Sequence, residues 1–154
     1  MQNIGNNRVA KIVLVVNDIE KKAEAFSLLF GIERPQVVSS SPPASGSRAF
    51  TEMRGERIPG LVKLANIQMG PIGIELIEPL DGKSPWAEHL RTRGQGVFSV
   101  VWTVDGFEDH IELMKNRGMP LYHLGEYGSG RYAYFDTLSA LGITLCLQNL
   151  EKRF

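Results

Sequence analysis

The sequence lacks several features that mark specialised protein classes. It contains one cysteine, Cys146, which excludes an internal disulfide and a cysteine-rich zinc site. No apolar run in the sequence reaches the length of about 18 residues that a membrane-spanning helix needs. The first residues, MQNIGNNRVAK, have no apolar core of the kind found in signal peptides. We therefore expect a cytoplasmic protein that does not bind membranes.

The sequence also lacks an excess of positive or negative charge. The chain carries 17 basic and 17 acidic residues, so its formal net charge is zero. Nucleic-acid-binding domains usually carry a basic excess, and the balance therefore gives no reason to expect such a partner. With 154 residues, of which 43% are hydrophobic, the length and composition are ordinary for one globular domain spanning 1–154.

Two segments of the chain follow the same pattern. Residues 11–31 read KIVLVVNDIEKKAEAFSLLFG, and residues 96–118 read GVFSVVWTVDGFEDHIELMKNRG. In each, a β-branched apolar run predicts a buried strand, and an amphipathic helix that ends at a glycine follows. Asn17 and Asp105 are the predicted N-caps, each with a glutamate three residues later. The matching order of these features predicts an internal duplication.

Each predicted helix is followed by material typical of three strands. This predicts two tandem βαβββ modules, at about 8–80 and 96–150, joined by a linker helix at about 84–93. Ser84 is the predicted N-cap of the linker helix, with Pro85 at its first position. One helix cannot cover both faces of a half-sheet, so the modules should pair. The predicted fold class is α+β, with curved mixed sheets around a cleft and the helices outside.

This arrangement resembles the vicinal oxygen chelate superfamily, which includes glyoxalases, extradiol dioxygenases and bleomycin-binding proteins. Residues 74–96, IELIEPLDGKSPWAEHLRTRGQG, are similar to the linker of methylmalonyl-CoA epimerases. In that branch a strand ending in Glu-Leu, a Glu-Pro-Leu turn, a Ser-Pro helix and a Gly-x-Gly precede the second module. The resemblance covers nearly the whole chain and implies the fold described above.

The resemblance also implies four positions for metal ligands, two in each module. Relatives usually place histidine, glutamine or glutamate at these positions, and here they hold Lys11, Glu75, Ser99 and Cys146. A lysine ammonium is itself a cation, and serine with cysteine is a poor substitute for imidazoles and a carboxylate. We therefore expect no bound metal or other cofactor. A cobalt, manganese, nickel or zinc ion is expected only if this alignment is wrong.

Glu75 and Lys11 are the predicted catalytic residues, each with an alternative role. Within a cleft, Glu75 is a candidate base or an anchor for a donor group; on a solvated face it is an ordinary surface residue. Lys11 is placed to hold an anionic ligand group or to compensate Glu75. As a lysine at the start of a strand, it is equally able to extend into water.

Further predicted ligand contacts occupy the second module: Ser99, Cys146, His123, Arg131, Tyr132 and Trp102. Several of these residues have a purely structural role as an alternative. Cys146 lies in an apolar run typical of an inert buried thiol, and Trp102 is also compatible with core packing. His123 is either a ligand or proton-transfer residue, or a satisfied core or surface histidine.

Two classes of function remain open at this point. The first is an epimerase, isomerase or lyase of the methylmalonyl-CoA epimerase or glyoxalase type, which transfers a proton next to a carbonyl group. The second is a metal-free protein that binds or sequesters a small molecule, as bleomycin-resistance proteins do. Both predict a small carbonyl or carboxylate compound as the ligand, including an acyl-CoA, and a homodimer is the default assembly.

Overall fold

The computed structural model describes residues 1–127 and 129–150. Its strands are β1 (Val9–Val15), β2 (Val38–Ser39), β3 (Phe50–Met53), β4 (Glu56–Arg57), β5 (Val62–Met69), β6 (Ile72–Pro79), β7 (Gly96–Thr103), β8 (Leu121–Tyr127), β9 (Gly130–Phe135) and β10 (Thr144–Leu150). The helices are α1 (Ile19–Phe30), α2 (Pro85–Arg93), α3 (Phe107–Asn116) and α4 (Leu138–Leu141). None of these described helices has the length and apolar composition of a membrane span.

The chain divides into two compact units that are not continuous in sequence. The α1 unit comprises residues 11–42 and 59–98. The α3 unit comprises residues 1–10 and 43–58, together with the described residues from 99 onward. The α1 unit therefore contains α1 and α2, whereas the α3 unit contains α3 and α4.

Four strands of the α1 unit follow the order β2-β5-β6-β1. β1 and β6 run parallel, while the β5–β6 and β2–β5 pairs are antiparallel. Helix α1 covers one face of these strands, because its apolar positions pack with alternate strand residues. The buried residues of this core are Val16, Ile19, Ala65, Ile67 and Leu76.

The α3 unit repeats this connectivity with β7, α3, β8, β9 and β10. Its strands follow the order β7-β10-β9-β8, again with the first and last strands of the module parallel. Helix α3 covers one face, and the buried core contains Val104, Phe107, Met114, Ala133, Phe135, Leu145 and Leu147. The predicted α+β class, with two βαβββ modules and mixed strand pairing, is confirmed.

One segment of the first module belongs to the α3 unit. β3 and β4 form a hairpin, and β3 pairs antiparallel with β8, extending the α3 unit's strand order to β8-β3-β4. This segment, about 50–57, falls within the bounds of about 8–80 that the sequence predicted for the first module. Its pairing with β8 is non-local in sequence and leaves β2, β5 and β6 as the three later strands of the α1 unit.

Two predicted helix caps are corrected by one residue each. Asp18, rather than Asn17, caps α1, because its carboxylate accepts a hydrogen bond from the Lys21 amide. α3 begins after Gly106 rather than Asp105 and has no side-chain cap. The start of α2 matches the prediction: the Ser84 hydroxyl accepts from the amide of Ala87 at 3.0 Å.

Candidate functional site

Lys11 and Glu75 form an ion pair on the face of the α1 unit opposite its helix. β1 and β6 are parallel neighbours in which Lys11 is opposite Gly73 and Val13 is opposite Glu75. The glycine opposite Lys11 presents no side chain, and Lys11 Nζ lies 2.8 Å from Glu75 Oε2. The side chains are 27% and 14% exposed, respectively, so water reaches the pair only in part. Each charge therefore compensates a partly desolvated partner.

Two amide side chains share the face of this ion pair. In β5, Asn66 is opposite Glu75 and Gln68 is opposite Gly73. Asn66 is exposed, and Gln68 Nε2 donates to the carbonyl of Gly70 at 2.6 Å. Neither residue was predicted from the sequence, although their alternation with Ala65 and Ile67 was a usable signal of a polar face. We define the set Lys11, Glu75, Asn66 and Gln68 as the Lys11 patch.

The positions matching the other two family ligands, Ser99 and Cys146, lie in the α3 unit. Both are buried, at 0% and 2% exposure. The Ser99 hydroxyl donates to the carbonyl of Thr144 at 2.6 Å, so its proton is already engaged by the backbone. Cys146 Sγ lies 3.8 Å from the carbonyl of Leu147, a contact typical of a buried structural thiol.

His123 and Tyr132 are brought together on the same face of the α3 unit, opposite α3. His123 Nε2 lies 3.0 Å from the Tyr132 hydroxyl oxygen, and the ring of Tyr134 lies 5.3 Å from the imidazole. Burial lowers the pKa of His123 to about 3. The imidazole is therefore neutral near pH 7. The structure thus provides a neutral hydrogen-bonding histidine in an aromatic environment.

A second polar pair on this face was missed by the sequence analysis. Gln148 is buried, and its Nε2 donates to the Thr103 hydroxyl at 2.9 Å. Thr103 is opposite Gln148 between β7 and β10, and Tyr132 is opposite Gln148 between β9 and β10. The polar residue within the apolar run ITLCLQNL was the only sequence signal for it.

Trp102 and Arg131 lie on the other face of the α3 unit, beside its helix. Trp102 packs against the buried core that includes Val104 and Leu147. The Arg131 guanidinium lies 4.6 Å from the centre of the Phe107 ring in α3. The structure therefore places neither side chain on the face that carries Ser99, His123 and Tyr132, and Trp102 takes the core-packing alternative.

The side chains at the four family positions do not suit a divalent ion. A lysine ammonium has no lone pair to donate, and Lys11 is bound to Glu75. The Ser99 hydroxyl and the Cys146 thiol are buried against backbone carbonyls, and of the four only Glu75 offers a carboxylate. Within residues 1–127 and 129–150, no three histidine, cysteine, aspartate or glutamate side chains are grouped so that they could hold a metal ion.

Solved structures share this fold at low sequence identity. A hypothetical protein of Bacillus halodurans is 19% identical, with 96% of each chain covered and a TM-score of 0.63. Methylmalonyl-CoA epimerase of Mycobacterium tuberculosis is 17% identical, with 93% of this chain and 87% of that chain covered and a TM-score of 0.60. A methylmalonyl-CoA epimerase in complex with methylmalonyl-CoA and NH4+ is 15% identical, with 94% and 95% covered and a TM-score of 0.65. These similarities establish the fold.

Sequence comparison supplies the family. No curated protein matches the chain significantly. The family model described as glyoxalase/bleomycin resistance protein/dioxygenase superfamily matches residues 10–135, which is most of the chain. The match includes both copies of the repeated pattern, 11–31 and 96–118. The chain belongs to the glyoxalase/bleomycin resistance protein/dioxygenase superfamily.

Proposed function

We propose that the chain binds a small carbonyl or carboxylate compound at the Lys11 patch and that it does so without a divalent ion. The observation that carries the proposal is the 2.8 Å ion pair between Lys11 and Glu75 at two family ligand positions. An ammonium group has three N–H donors, so it is able to bind a carboxylate and a ligand oxygen together. Lys11 then supplies the positive charge that a metal ion would supply in the metal-dependent relatives that the sequence resembles.

Proton transfer next to the ligand carbonyl is the chemistry that this pair best supports. Glu75 takes a proton from the carbon beside the carbonyl, and the electrons of the broken C–H bond move to the carbonyl oxygen. The Lys11 ammonium stabilises the resulting enolate by a charge-assisted hydrogen bond. Glu75 returns the proton to carbon, so the residue ends in its starting state. While Glu75 holds the proton, that proton can exchange with solvent. In D2O the step is therefore observable as incorporation of deuterium at the carbon beside the carbonyl.

The solved relatives suggest the ligand class. One methylmalonyl-CoA epimerase was solved with methylmalonyl-CoA and NH4+, and another, from Streptomyces coelicolor, with 2-nitronate-propionyl-CoA. Both organic ligands are acyl-CoA compounds, and an ammonium ion is similar in charge and in N–H donors to the protonated amine of Lys11. Acyl-CoA thioesters and small carboxylates are therefore the first probes for this chain.

Binding without chemistry is the second candidate function. It is favoured by one observation, namely that the Glu75 carboxylate is already held by Lys11 at 2.8 Å before a ligand arrives. A carboxylate held in this way is suited to fixing the lysine, which then acts as a static anchor for an anionic ligand. A homodimer remains a prediction under either function.

Two measurements test binding and chemistry separately. Thermal-shift and calorimetric titrations of chelator-treated protein with methylmalonyl-CoA, propionyl-CoA and methylmalonate should detect binding, and Lys11→Met should weaken it at least about tenfold, as expected for a lost charge-assisted hydrogen bond. Lys63→Met is the matched control, because Lys63 also faces a glutamate, Glu78, across β5 and β6. Absence of binding by every probe, or equal loss in both variants, contradicts the proposal.

Deuterium incorporation then separates the two functions. In D2O, an enzyme acting through Glu75 exchanges the α-proton of a bound acyl-CoA, and Glu75→Gln abolishes the exchange while the ligand still binds. A binding protein shows saturable binding with no exchange above the rate in buffer.

A further inference from the structure

A cleft of about 430 Å³ lies within the α3 unit, and none of its lining residues belongs to the Lys11 patch. Its wall combines the segment just before β3 with the adjoining ends of β8, β9 and β10. The lining includes Ser47, Arg48, Ala49, Glu126, Arg131 and Asn149. A volume of this size is within the range of about 300–1,000 Å³ found for small-molecule sites.

Strand register builds one wall of this cleft as a fixed polar row. Glu126 is opposite Arg131 between β8 and β9, and Arg131 is opposite Asn149 between β9 and β10. Arg131 is held by Glu126 at 3.5 Å, by an ion pair with Glu108, and by the Phe107 ring beneath its guanidinium. The hydrogen bond from Arg131 lowers the pKa of Glu108. These contacts preorganise the row before any ligand binds.

Arg48 brings a further positive charge to the cleft. Arg131 is neutralised by two glutamates, whereas Arg48 makes no ion pair within the part of the chain that the structure describes. The neighbouring Ser47 oxygen accepts from the Ala49 amide at 3.1 Å, which leaves its hydroxyl proton to donate. An anionic group is the ligand feature that Arg48 and Ser47 together are suited to bind.

Asn149 supplies an acceptor on the opposite wall. Its Nδ2 donates to the Val104 carbonyl at 2.8 Å, which fixes the orientation of the amide. The amide oxygen is then able to accept a hydrogen bond from a ligand. A ligand hydroxyl group, which is small and uncharged, is a suitable donor to the Asn149 oxygen.

We infer that the cleft binds a small hydroxylated anion of about the size of a sugar phosphate or sugar acid, with its charged end at Arg48. This site is independent of the proposed function.

An NMR titration of the uniformly 15N-labelled full chain tests this inference. Ribose 5-phosphate and gluconate are the charged probes, and ribose is the neutral one. We expect saturable amide shifts at 47–49, 126–127 and 130–131 with a charged probe. Binding by Arg48→Gln should be at least about tenfold weaker, because this variant loses a charge-assisted hydrogen bond. Exposed Ser47→Glu, which adds an opposing charge, should weaken it as well. Arg91→Gln, in α2, removes the same charge elsewhere and should have no effect.

The two charged probes identify which anionic group is preferred, and saturable binding by either supports the inference. Three results would overturn it: no saturable shifts with either charged probe, binding of ribose as tight as that of the charged probes, or unchanged affinity in Arg48→Gln. Lys11→Met should leave the cleft titration unchanged, which keeps this test separate from that of the Lys11 patch. The backbone amide spectrum of each variant verifies that the fold is retained, since Ser47 and Arg48 are both exposed.

Discussion

His123 Nε2 lies 3.0 Å from the hydroxyl oxygen of Tyr132, and the two rings are 5.4 Å apart. The imidazole is 1% exposed, and burial lowers its pKa to about 3. The histidine is thus held neutral by its surroundings, and it contacts two tyrosines, Tyr132 and Tyr134. Protonation of such a group opposes folding.

The free energy of unfolding should therefore fall as the pH is lowered from 6.5 towards 3. In this range the unfolded chain binds a proton at His123 that the folded chain does not, which contributes up to about 1.4 kcal/mol per pH unit. Well above pH 6.5 both states are neutral at this residue and the stabilising contribution is fully present. Urea unfolding at pH 7.5, 6.5 and 5.5 measures the slope, and His123→Phe should make it shallower.

His89→Asn is the control for this experiment. The pKa of His89 is also lowered, mainly by burial and to a smaller extent by the charge of Arg93. This side chain is, however, only partly buried. Its removal should change the slope less than His123→Phe does. Equal slopes in the wild type and His123→Phe would show that His123 is not held neutral in the folded state.

Gly125 makes room for the Tyr132 ring. A Cβ at this position would overlap the end of that ring, although the backbone angles of the glycine are ordinary. Gly125→Ala should displace Tyr132 from His123 and cost about 1–3 kcal/mol of stability, as overpacking usually does. The measurement is the midpoint of urea unfolding together with the His123 ring shifts in the NMR spectrum.

Gly82→Ala is matched to this change, because an added Cβ there meets no described atom within 4 Å and the glycine has no left-handed backbone angle. Its effect should stay within about 0.5 kcal/mol. Equal effects of the two substitutions would show that the close approach of Gly125 to Tyr132 is not needed for stability.

Local patterns in the sequence predicted much of the fold. The β-branched runs, the helix stripe and Gly31 located β1 and α1, and Gly31 has the left-handed conformation expected of a helix stop. The pairing of the 50–57 hairpin with β8 was not predictable, because register between distant segments leaves no local signal. The cap of α1 shifted from Asn17 to Asp18 because both residues are good N-caps and only backbone geometry chooses between them.

The candidate site was predictable in part. The Lys11–Glu75 pair was among the alternatives weighed from sequence, since family position and opposite charge both indicated it. The row Glu126, Arg131 and Asn149 was not foreseen, because it exists only through the register of three strands. Trp102 was ambiguous because an aromatic residue in a strand is equally compatible with a core face and a ligand face.

A double-mutant cycle tests the coupling of Lys11 to Glu75. Lys11→Met and Glu75→Gln should each destabilise the fold, and the double variant should lose less than the sum, with a coupling free energy of about 1–2 kcal/mol. Partial access of water keeps this below the value for a fully buried pair. The measurement is the free energy of unfolding in urea for the four proteins.

The Lys63–Glu78 pair is the comparison for that cycle. It also bridges neighbouring strands of the α1 unit, but Nζ and Oε2 are 3.8 Å apart, so its coupling should be below about 1 kcal/mol. If the effects of Lys11→Met and Glu75→Gln are simply additive, the two side chains do not compensate each other in solution.

The most direct test of the account concerns metal binding. Chelator-treated protein is titrated calorimetrically with cobalt, manganese, nickel and zinc, and its metal content is measured after dialysis, for the wild type and Glu75→Ala. We predict that the wild type binds no ion at a stoichiometry of one per chain that Glu75→Ala would abolish, because Lys11 already pairs with that carboxylate. One ion per chain in the wild type, lost in Glu75→Ala, would contradict the proposal that Lys11 takes the place of the metal.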